Sequence, residues 1–153
     1  MTIRKLLLSL QEHNVRFLVI GAWAFPAHGY VRNTVDIDIF IKPTRPNTMR
    51  TIEALKAIGY DVVDEADVSI FLNTKVLIRE YVLQTDIHPF VKGLTFEEGW
   101  ANKVETTISE VKVFVPSLDH VIRMKEAAGR AKDKFDLIQL KKLKKIRTRQ
   151  TKQ

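Results

Sequence analysis

The first forty residues alternate between helical and extended patterns of apolar side chains. Helical spacing relates four apolar residues near the start, Ile3, Leu6, Leu7 and Leu10. This spacing predicts an amphipathic helix over residues 2–13. The apolar run over residues 17–20 ends at Gly21 and predicts a short buried strand. A helix over residues 22–27 is expected next, although Pro26 is tolerated only in the first turn of an α-helix.

Residues 35–41 alternate and predict a strand with two different faces. One face carries Val35, Ile37, Ile39 and Ile41, and the other carries Asp36, Asp38 and Phe40. Beyond Pro43 and Pro46, a helix is predicted with Asn47 or Thr48 as its cap and Gly59 as its end. The apolar side of this helix is formed by Met49, Ile52, Leu55 and Ile58.

The second half of the chain is rich in β patterns and then becomes helical. Strands are predicted at Tyr60–Val63, Ser69–Leu72, Val76–Arg79 and Tyr81–Pro89, a short helix at Phe96–Lys103, and a further strand or hairpin arm at Ile108–Val115. Ser117 is a suitable cap for a helix beginning at Leu118. A last helix is expected from about Lys132. The pattern predicts an α+β fold, a mixed β-sheet with helices packed against it and a helical C-terminus.

Length and composition are those of one globular domain. The chain has 153 residues, of which 45% are hydrophobic and 28% charged, so we expect a single domain over residues 1–146 and a basic, disordered tail over 147–153. The absence of cysteine excludes disulfides and thiolate metal sites. No apolar run approaches the roughly 20 residues of a membrane span, and the N-terminus lacks a signal-peptide cleavage site. We therefore expect a cytoplasmic protein without a membrane partner.

Positive charge is concentrated in the C-terminal quarter. Residues 1–119 hold 13 Lys/Arg and 15 Asp/Glu, a net charge of −2, whereas residues 120–153 hold 12 Lys/Arg and 3 Asp/Glu, a net charge of +9. Such asymmetry indicates a polyanionic partner, either nucleic acid or nucleotide phosphates. The alternative is that the charges between Lys141 and Lys152 form only a solvated helix face and a frayed tail.

Two carboxylates of the predicted strand at 35–41 form the strongest chemical signal. Asp36 and Asp38 are two residues apart on a strand, so both side chains project from the same face. Two close carboxylates repel each other unless a cation lies between them, and hard oxygen ligands suit magnesium or manganese. A solvent-facing strand edge is the simpler explanation, but the apolar residues at alternate positions favour a core strand.

Gly21 and Ala22 form the second candidate element. They follow an apolar strand and begin a predicted helix, whose free N–H groups and positive dipole end favour an anion. Glycine lets a phosphate approach the backbone closely. The signal is weak alone, and its value is its position, 15 residues before Asp36.

Together these motifs resemble the nucleotidyltransferase superfamily related to DNA polymerase beta, and above all its small prokaryotic members of the abortive-infection toxin type. The residues that carry the resemblance are Phe17-Leu18-Val19-Ile20-Gly21-Ala22-Trp23-Ala24, His28-Gly29, Arg32-Asn33-Thr34, Asp36-Ile37-Asp38-Ile39, Gln84-Thr85-Asp86-Ile87-His88, and Lys125 and Arg130 followed by Asp133 and Asp136. The chain departs from the family pattern at Ala22, where relatives carry glycine or serine. This change removes a possible side-chain contact to phosphate and keeps the backbone donors.

The resemblance implies a two-metal transfer of a nucleoside monophosphate from an NTP to an acceptor hydroxyl. Asp36, Asp38 and Asp86 would be the catalytic residues and the ligands of Mg²⁺ or Mn²⁺, with Asp86 as the base. The nucleotide would be bound by Gly21, Ala22, Arg32, Thr34, Lys125 and Arg130. His88 lies two residues after Asp86 on the same strand face and is a possible substrate contact.

The identity of the acceptor and the biological role stay open at this level. A protein hydroxyl, the end of a tRNA and a small molecule such as an antibiotic are all candidates, and the basic C-terminus favours RNA or an acidic protein. The alternative to an enzyme is a catalytically weak or inactive module that binds a cognate toxin or antitoxin chain. A glycosyltransferase would need a larger domain before its Asp-x-Asp motif, and a phosphatase would place its first acid directly after the first strand.

Several polar and aromatic residues have structural interpretations that compete with functional ones. Lys125 and Arg130 are roughly 140° apart on a continuous helix, so a helix break at Gly129 is needed for both to face the acids. Asp133 and Asp136 are expected to be solvated or paired with Arg130 rather than to bind metal. We expect packing roles for His28, Trp23 and Trp100.

Overall fold

A computed structural model describes residues 2–61, 65–79 and 83–151 as a mixed sheet covered by helices. The strands are β1 (Phe17–Ile20), β2 (Asp36–Ile41), β3 (Val76–Ile78), β4 (Gln84–His88), β5 (Val104–Ile108) and β6 (Val111–Val115). The α-helices are α1 (Ile3–Glu12), α2 (Arg45–Ala57), α3 (Glu65–Asn73), α4 (Phe96–Ala101), α5 (Leu118–Ala128) and α6 (Lys134–Thr151). In these described ranges, no helix is long and apolar enough to cross a membrane.

Four strands form the main sheet in the order β1-β2-β4-β3, and β5 and β6 form a separate hairpin. β2 runs antiparallel to β1 and parallel to β4, and β3 runs antiparallel to β4. The predicted mixed sheet is therefore confirmed. Its central pair, β2 and β4, carries all three acids of the predicted site.

The two faces of β2 enter different cores, as the alternating pattern predicts. Ile37, Ile39 and Ile41 belong to the largest apolar cluster, which also contains the apolar residues of α1 and α2. Phe40 points the other way and makes an edge-to-face contact with Phe96 of α4. Helix α4 therefore covers this face of β2 at Phe40, and Asp36 and Asp38 on the same face line a cleft.

The segment after β1 is a 3₁₀-helix over Gly21–His28 instead of the predicted α-helix. Pro26 lies inside it. In the predicted α-helix, the ring of Pro26 would clash with the carbonyl of Ala22, four residues earlier, and this disfavours the α-helical form. Gly29 ends the segment in the left-handed conformation with a φ of +96°, which glycine adopts readily.

Two further predictions from local patterns are wrong. The strand expected at Ser69–Leu72 is part of helix α3, because Val68 and Phe71 are buried while the residues between them are exposed, which is a helical spacing. Helix α2 begins earlier than expected, with Thr44 as its cap. The side chain of Asn47 instead bonds the backbone of Arg16 and Lys42.

The C-terminal helices agree with the predicted capping residues. Ser117 caps α5 through the backbone N–H of His120, and Gly129 ends the helix with a φ of +62°. A short 3₁₀-helix over Ala131–Asp133 leads into α6, which continues to Thr151 through most of the predicted tail. Residues 62 and 63 of one predicted strand, and 81 and 82 of another, lie outside the described ranges.

Candidate active site

Two of the predicted acids face each other across the central strand pair. Asp38 of β2 is the register partner of Asp86 of β4, and Asp36 lies two residues earlier beside Gln84. Asp86 is buried, with 5% of its surface exposed. Among the described residues, none donates a hydrogen bond to the buried Oδ1 of Asp36. An acceptor oxygen without a donor at this position fits a cation ligand.

His88 joins the acids through the two-residue period of β4. Its Nε2 atom lies 2.8 Å from Oδ1 of Asp38. In the described part of the chain, Asp38, Asp86 and His88 form the group able to hold a metal ion, with one ligand atom of each within 4.8 Å of the others. Asp36, which the sequence predicts as a ligand, lies outside this group and lines the same cleft.

Two cations that flank β3, Lys75 before it and Arg79 after it, lie against the buried Asp86. Arg79 donates a short hydrogen bond from Nη1 to Asp86, and Lys75 Nζ is 3.9 Å from the other carboxylate oxygen. The hydrogen bond with Asp86 raises the pKa of Arg79. Sequence analysis missed both residues, because their approach to Asp86 depends on the antiparallel pairing of β3 with β4.

Gly21 allows β1 and the 3₁₀-helix to approach the acid pair. It has a φ of +69°, and a Cβ atom placed on it would lie 2.5 Å from Oδ2 of Asp38. Any side chain at this position would therefore collide with the carboxylate. Ala22, next along the chain, lines the same cleft. The Thr34 hydroxyl also lines it and lies 3.3 Å from the backbone N of Asp36.

A network of ion pairs forms the opposite wall of the cleft. Lys125 Nζ is 2.9 Å from Asp133 and 3.6 Å from Asp136. Arg130 Nε donates to Asp133 at 2.6 Å, and Arg32 Nε donates to Asp136 at 3.0 Å. The predicted helix break at Gly129 is thus confirmed, and both Lys125 and Arg130 line the cleft that contains Asp36 and Asp38.

Burial and the neighbouring cations shift the pKa of Asp133 in opposite directions. Burial disfavours its charged form, but the hydrogen bonds from Arg130 and Lys125 outweigh that cost and lower its pKa. A lowered folded-state pKa contributes stability above the unfolded-state value, near 3.9, and this contribution is lost as pH falls through the folded-state value.

Asp133→Asn is therefore expected to destabilise the protein by about 2–3 kcal/mol at neutral pH, the size expected for a buried charge-assisted hydrogen bond. The loss should shrink in acid, where wild-type Asp133 is itself protonated. Urea unfolding at neutral and acidic pH measures both. Asp119→Asn is the matched control, because Asp119 is exposed and its pair with Lys144 lies at the surface; we expect its loss to stay below about 1 kcal/mol. Equal losses for the two variants would contradict this account.

The remaining polar and aromatic candidates have structural contacts. His28 is buried, and its Nε2 lies 2.8 Å from the carbonyl of Pro116. Burial lowers its pKa, more than the hydrogen bond to Pro116 raises it. Trp100 stacks on Phe96, and Trp23 packs against the largest apolar cluster. These contacts agree with the packing roles predicted for the three residues.

All these groups except the packing residues border one cleft of about 910 Å³. The acids lie on the floor formed by β2 and β4, and the ion-pair network forms the wall from α5 and the start of α6. Exposed aromatic side chains, Phe90 and Phe135, also line it. A cleft of this size accommodates a nucleotide and part of an acceptor.

Comparison with solved structures places this arrangement among known folds. The lincosamide antibiotic adenylyltransferase LnuA with bound lincomycin superposes with a TM-score of 0.61 at 20% identity, covering 94% of this chain and 98% of that one. The chain therefore has a nucleotidyltransferase-like fold. The antibiotic-resistance factor ANT(2'')-Ia superposes with a TM-score of 0.55 at 22% identity, covering 78% of this chain and 65% of that one. No protein-family model and no curated protein sequence matches the chain.

Proposed function

We propose that the protein is a metal-dependent nucleotidyltransferase that moves a nucleoside monophosphate from an NTP to an acceptor hydroxyl. The observation that carries the proposal is the register of Asp38 with Asp86 on adjacent parallel strands, next to Oδ1 of Asp36, which receives no hydrogen bond from the described residues. The nucleotidyltransferase-like fold supports it. Four statements stay predictions from the sequence. They are magnesium or manganese as the metal, a cytoplasmic location, the single-domain boundary, and a cognate toxin or antitoxin chain as partner.

Asp38, Asp86 and His88 are the residues proposed to hold a divalent ion, and Oδ1 of Asp36 is proposed to complete the site. Such ions, when bound, stabilise charge on the attacking and leaving oxygens of an in-line displacement. The oxygen donors fit magnesium or manganese, and the imidazole nitrogen favours manganese of the two.

Residues of the chain are proposed to accept the proton released in the reaction and to offset the charge of the phosphates. Asp86 is proposed to accept the proton of the acceptor hydroxyl while the hydroxyl oxygen bonds to the α-phosphorus of the NTP. The bond from that phosphorus to the bridging oxygen breaks, and pyrophosphate leaves. Lys125, Arg130 and Arg32, held by Asp133 and Asp136, are placed to offset the charge of the triphosphate. The backbone of Gly21 and Ala22 offers N–H donors beside the acids.

Calorimetric titration of each of the four NTPs, with manganese, magnesium or EDTA, tests the proposal. Binding should require a divalent ion, because the carboxylates otherwise repel the triphosphate. Lys125→Ala should weaken metal-dependent binding by about 1.5–3 kcal/mol, the value of one charge-assisted hydrogen bond.

Lys141→Ala serves as the matched control, because Lys141 pairs with Glu126 at the surface and does not line the cleft. We expect its NTP affinity to equal that of the wild type. NTP binding that persists unchanged in EDTA would overturn the proposed metal dependence. An equal loss in the two lysine variants would show a general charge effect instead of a contact made by Lys125.

A further inference from the structure

The charges of the cleft bear on the class of acceptor. Seven Lys or Arg residues and five Asp residues line it. Asp133 and Asp136 are engaged by cations, and the other three acids belong to the proposed metal site, with Arg79 and Lys75 beside Asp86. Among the described lining residues, no acid remains for a cationic acceptor. With Lys125, Arg130 and Arg32 assigned to the triphosphate, Lys92 and Lys132 remain as lining cations, and they favour an anionic acceptor next to the NTP.

Helix α6 extends this positive field out of the cleft. Five cations, Lys134, Lys141, Lys142, Lys145 and Arg149, lie on its exposed side. At 100° per residue they fall within a sector of roughly 100°, opposite the buried Asp136 and Leu140, and they span roughly 22 Å along the axis. We call these five residues the α6 stripe. Within residues 2–61, 65–79 and 83–151, only Lys141 of the stripe pairs with an acid.

The stripe begins at the cleft, where an aromatic side chain is exposed. Lys132 in the 3₁₀-helix before α6, and Phe135 and Asp136 in the first turn of α6, line the cleft, and 65% of the Phe135 surface is exposed. A row of cations that ends at an exposed aromatic ring is the arrangement with which proteins bind single-stranded nucleic acid, through phosphate contacts and base stacking. An acidic protein surface would account for the cations, but it would not require the ring or its place at the cleft.

We propose that the acceptor is the end of a single-stranded RNA segment, with its phosphates along the α6 stripe and a base near its end stacked on Phe135. This inference rests on the proposed function. The terminal ribose hydroxyl would then enter the cleft beside Asp86, its oxygen would bond to the α-phosphorus of the NTP, and pyrophosphate would leave. The stripe's C-terminal members lie outside the cleft, so RNA binding and NTP binding are separable by substitution.

Fluorescence anisotropy with a labelled single-stranded RNA of about 12 nucleotides tests the surface. The stripe variant Lys142→Gln/Lys145→Gln/Arg149→Gln removes three cations that lie outside the cleft. The slope of log K against log salt concentration should be shallower by roughly 2 for this variant. Three phosphate contacts are lost, and each contributes about 0.7 to the slope on a single strand. Affinity at about 0.1 M salt should fall roughly a hundredfold.

The control variant Arg4→Gln/Lys5→Gln/Lys56→Gln loses the same net charge as the stripe variant. Its three residues are exposed on α1 and α2 and do not line the cleft. It should keep the wild-type affinity and slope. Phe135→Ala should lose roughly tenfold in affinity with an unchanged slope, because stacking does not release counterions. Equal losses in the stripe and control variants would overturn the RNA surface.

Nucleotide titration of the same variants separates this inference from the function on which it rests. The stripe variant should bind manganese-ATP as the wild type does, and α-labelled ATP should label the RNA in the wild-type reaction. Wild-type protein that binds manganese-ATP but neither binds nor labels RNA would refute this inference and leave the proposed function standing. RNA binding with the expected slope, but no metal-dependent NTP binding, would refute the proposed function instead.

Discussion

Asp38→Asn is expected to abolish metal-dependent NTP binding and to slow nucleotidyl transfer by at least about a thousandfold. The Asp38 carboxylate belongs to the group with Asp86 and His88, and it lies in register with Asp86. Asparagine keeps the shape of the side chain but removes its charge. The lost stabilisation of charge in the transition state is several kcal/mol, and each 1.36 kcal/mol changes the rate about tenfold.

The fold should tolerate this substitution, since it also removes like-charge repulsion between neighbouring carboxylates. Manganese binding followed by EPR, NTP binding by calorimetry and unfolding in urea measure the three consequences separately. Glu105→Gln on β5 removes one negative charge at an exposed site outside the cleft and should leave all three unchanged. Unchanged manganese and NTP affinities in Asp38→Asn would contradict the role assigned to Asp38.

The second large effect is expected from Gly21→Ala, because the added methyl group lies where the Asp38 carboxylate lies. The nearest atom to the new Cβ is Oδ2 of Asp38 at 2.5 Å. That oxygen is at the end of a rotatable side chain, so the carboxylate turns away and the contact with His88 is lost. We expect metal-dependent NTP binding to fall below detection, while the free energy of unfolding falls by only about 1–2 kcal/mol, the cost of a left-handed alanine.

Gly59→Ala isolates the backbone cost from the collision. Gly59 also has a positive φ, +96°, and an added Cβ there meets no atom of the described residues within 4 Å. Both variants should lose similar stability in urea, and only Gly21→Ala should lose metal and NTP binding. If Gly59→Ala loses nucleotide affinity to the same extent, the effect comes from general destabilisation, and the close approach of Gly21 to Asp38 has no functional importance.

The basic C-terminus has two distinct roles in these proposals. Lys125 and Arg130 face the cleft because Gly129 ends α5 and redirects the chain. The cations of the α6 stripe are exposed on the side of the helix opposite Leu140, which packs against α5. A single measure of net charge therefore does not separate nucleotide binding from RNA binding in this protein.

Local spacing predicted the features that depend on a few consecutive residues. The two-residue period of a strand placed Asp36 and Asp38 on one face, and the capping preferences of Ser117 and Gly129 predicted both ends of α5. The same reasoning failed at Ser69–Leu72, where short apolar runs are compatible with strand or helix. There the packing of Val68 and Phe71 into the largest core cluster selected α3.

By itself, then, the sequence determined the strand that carries the acid pair, the glycine before it and the break that turns Arg130 toward the cleft, because each depends on near neighbours in the chain. The tertiary structure decided which side chains meet there. The parallel pairing of β2 with β4 set Asp38 against Asp86 and brought His88 to Asp38, and the pairing of β3 with β4 brought Arg79 to Asp86. These contacts join residues as many as 50 positions apart, and the register that fixes them arises from packing the whole sheet against its helices.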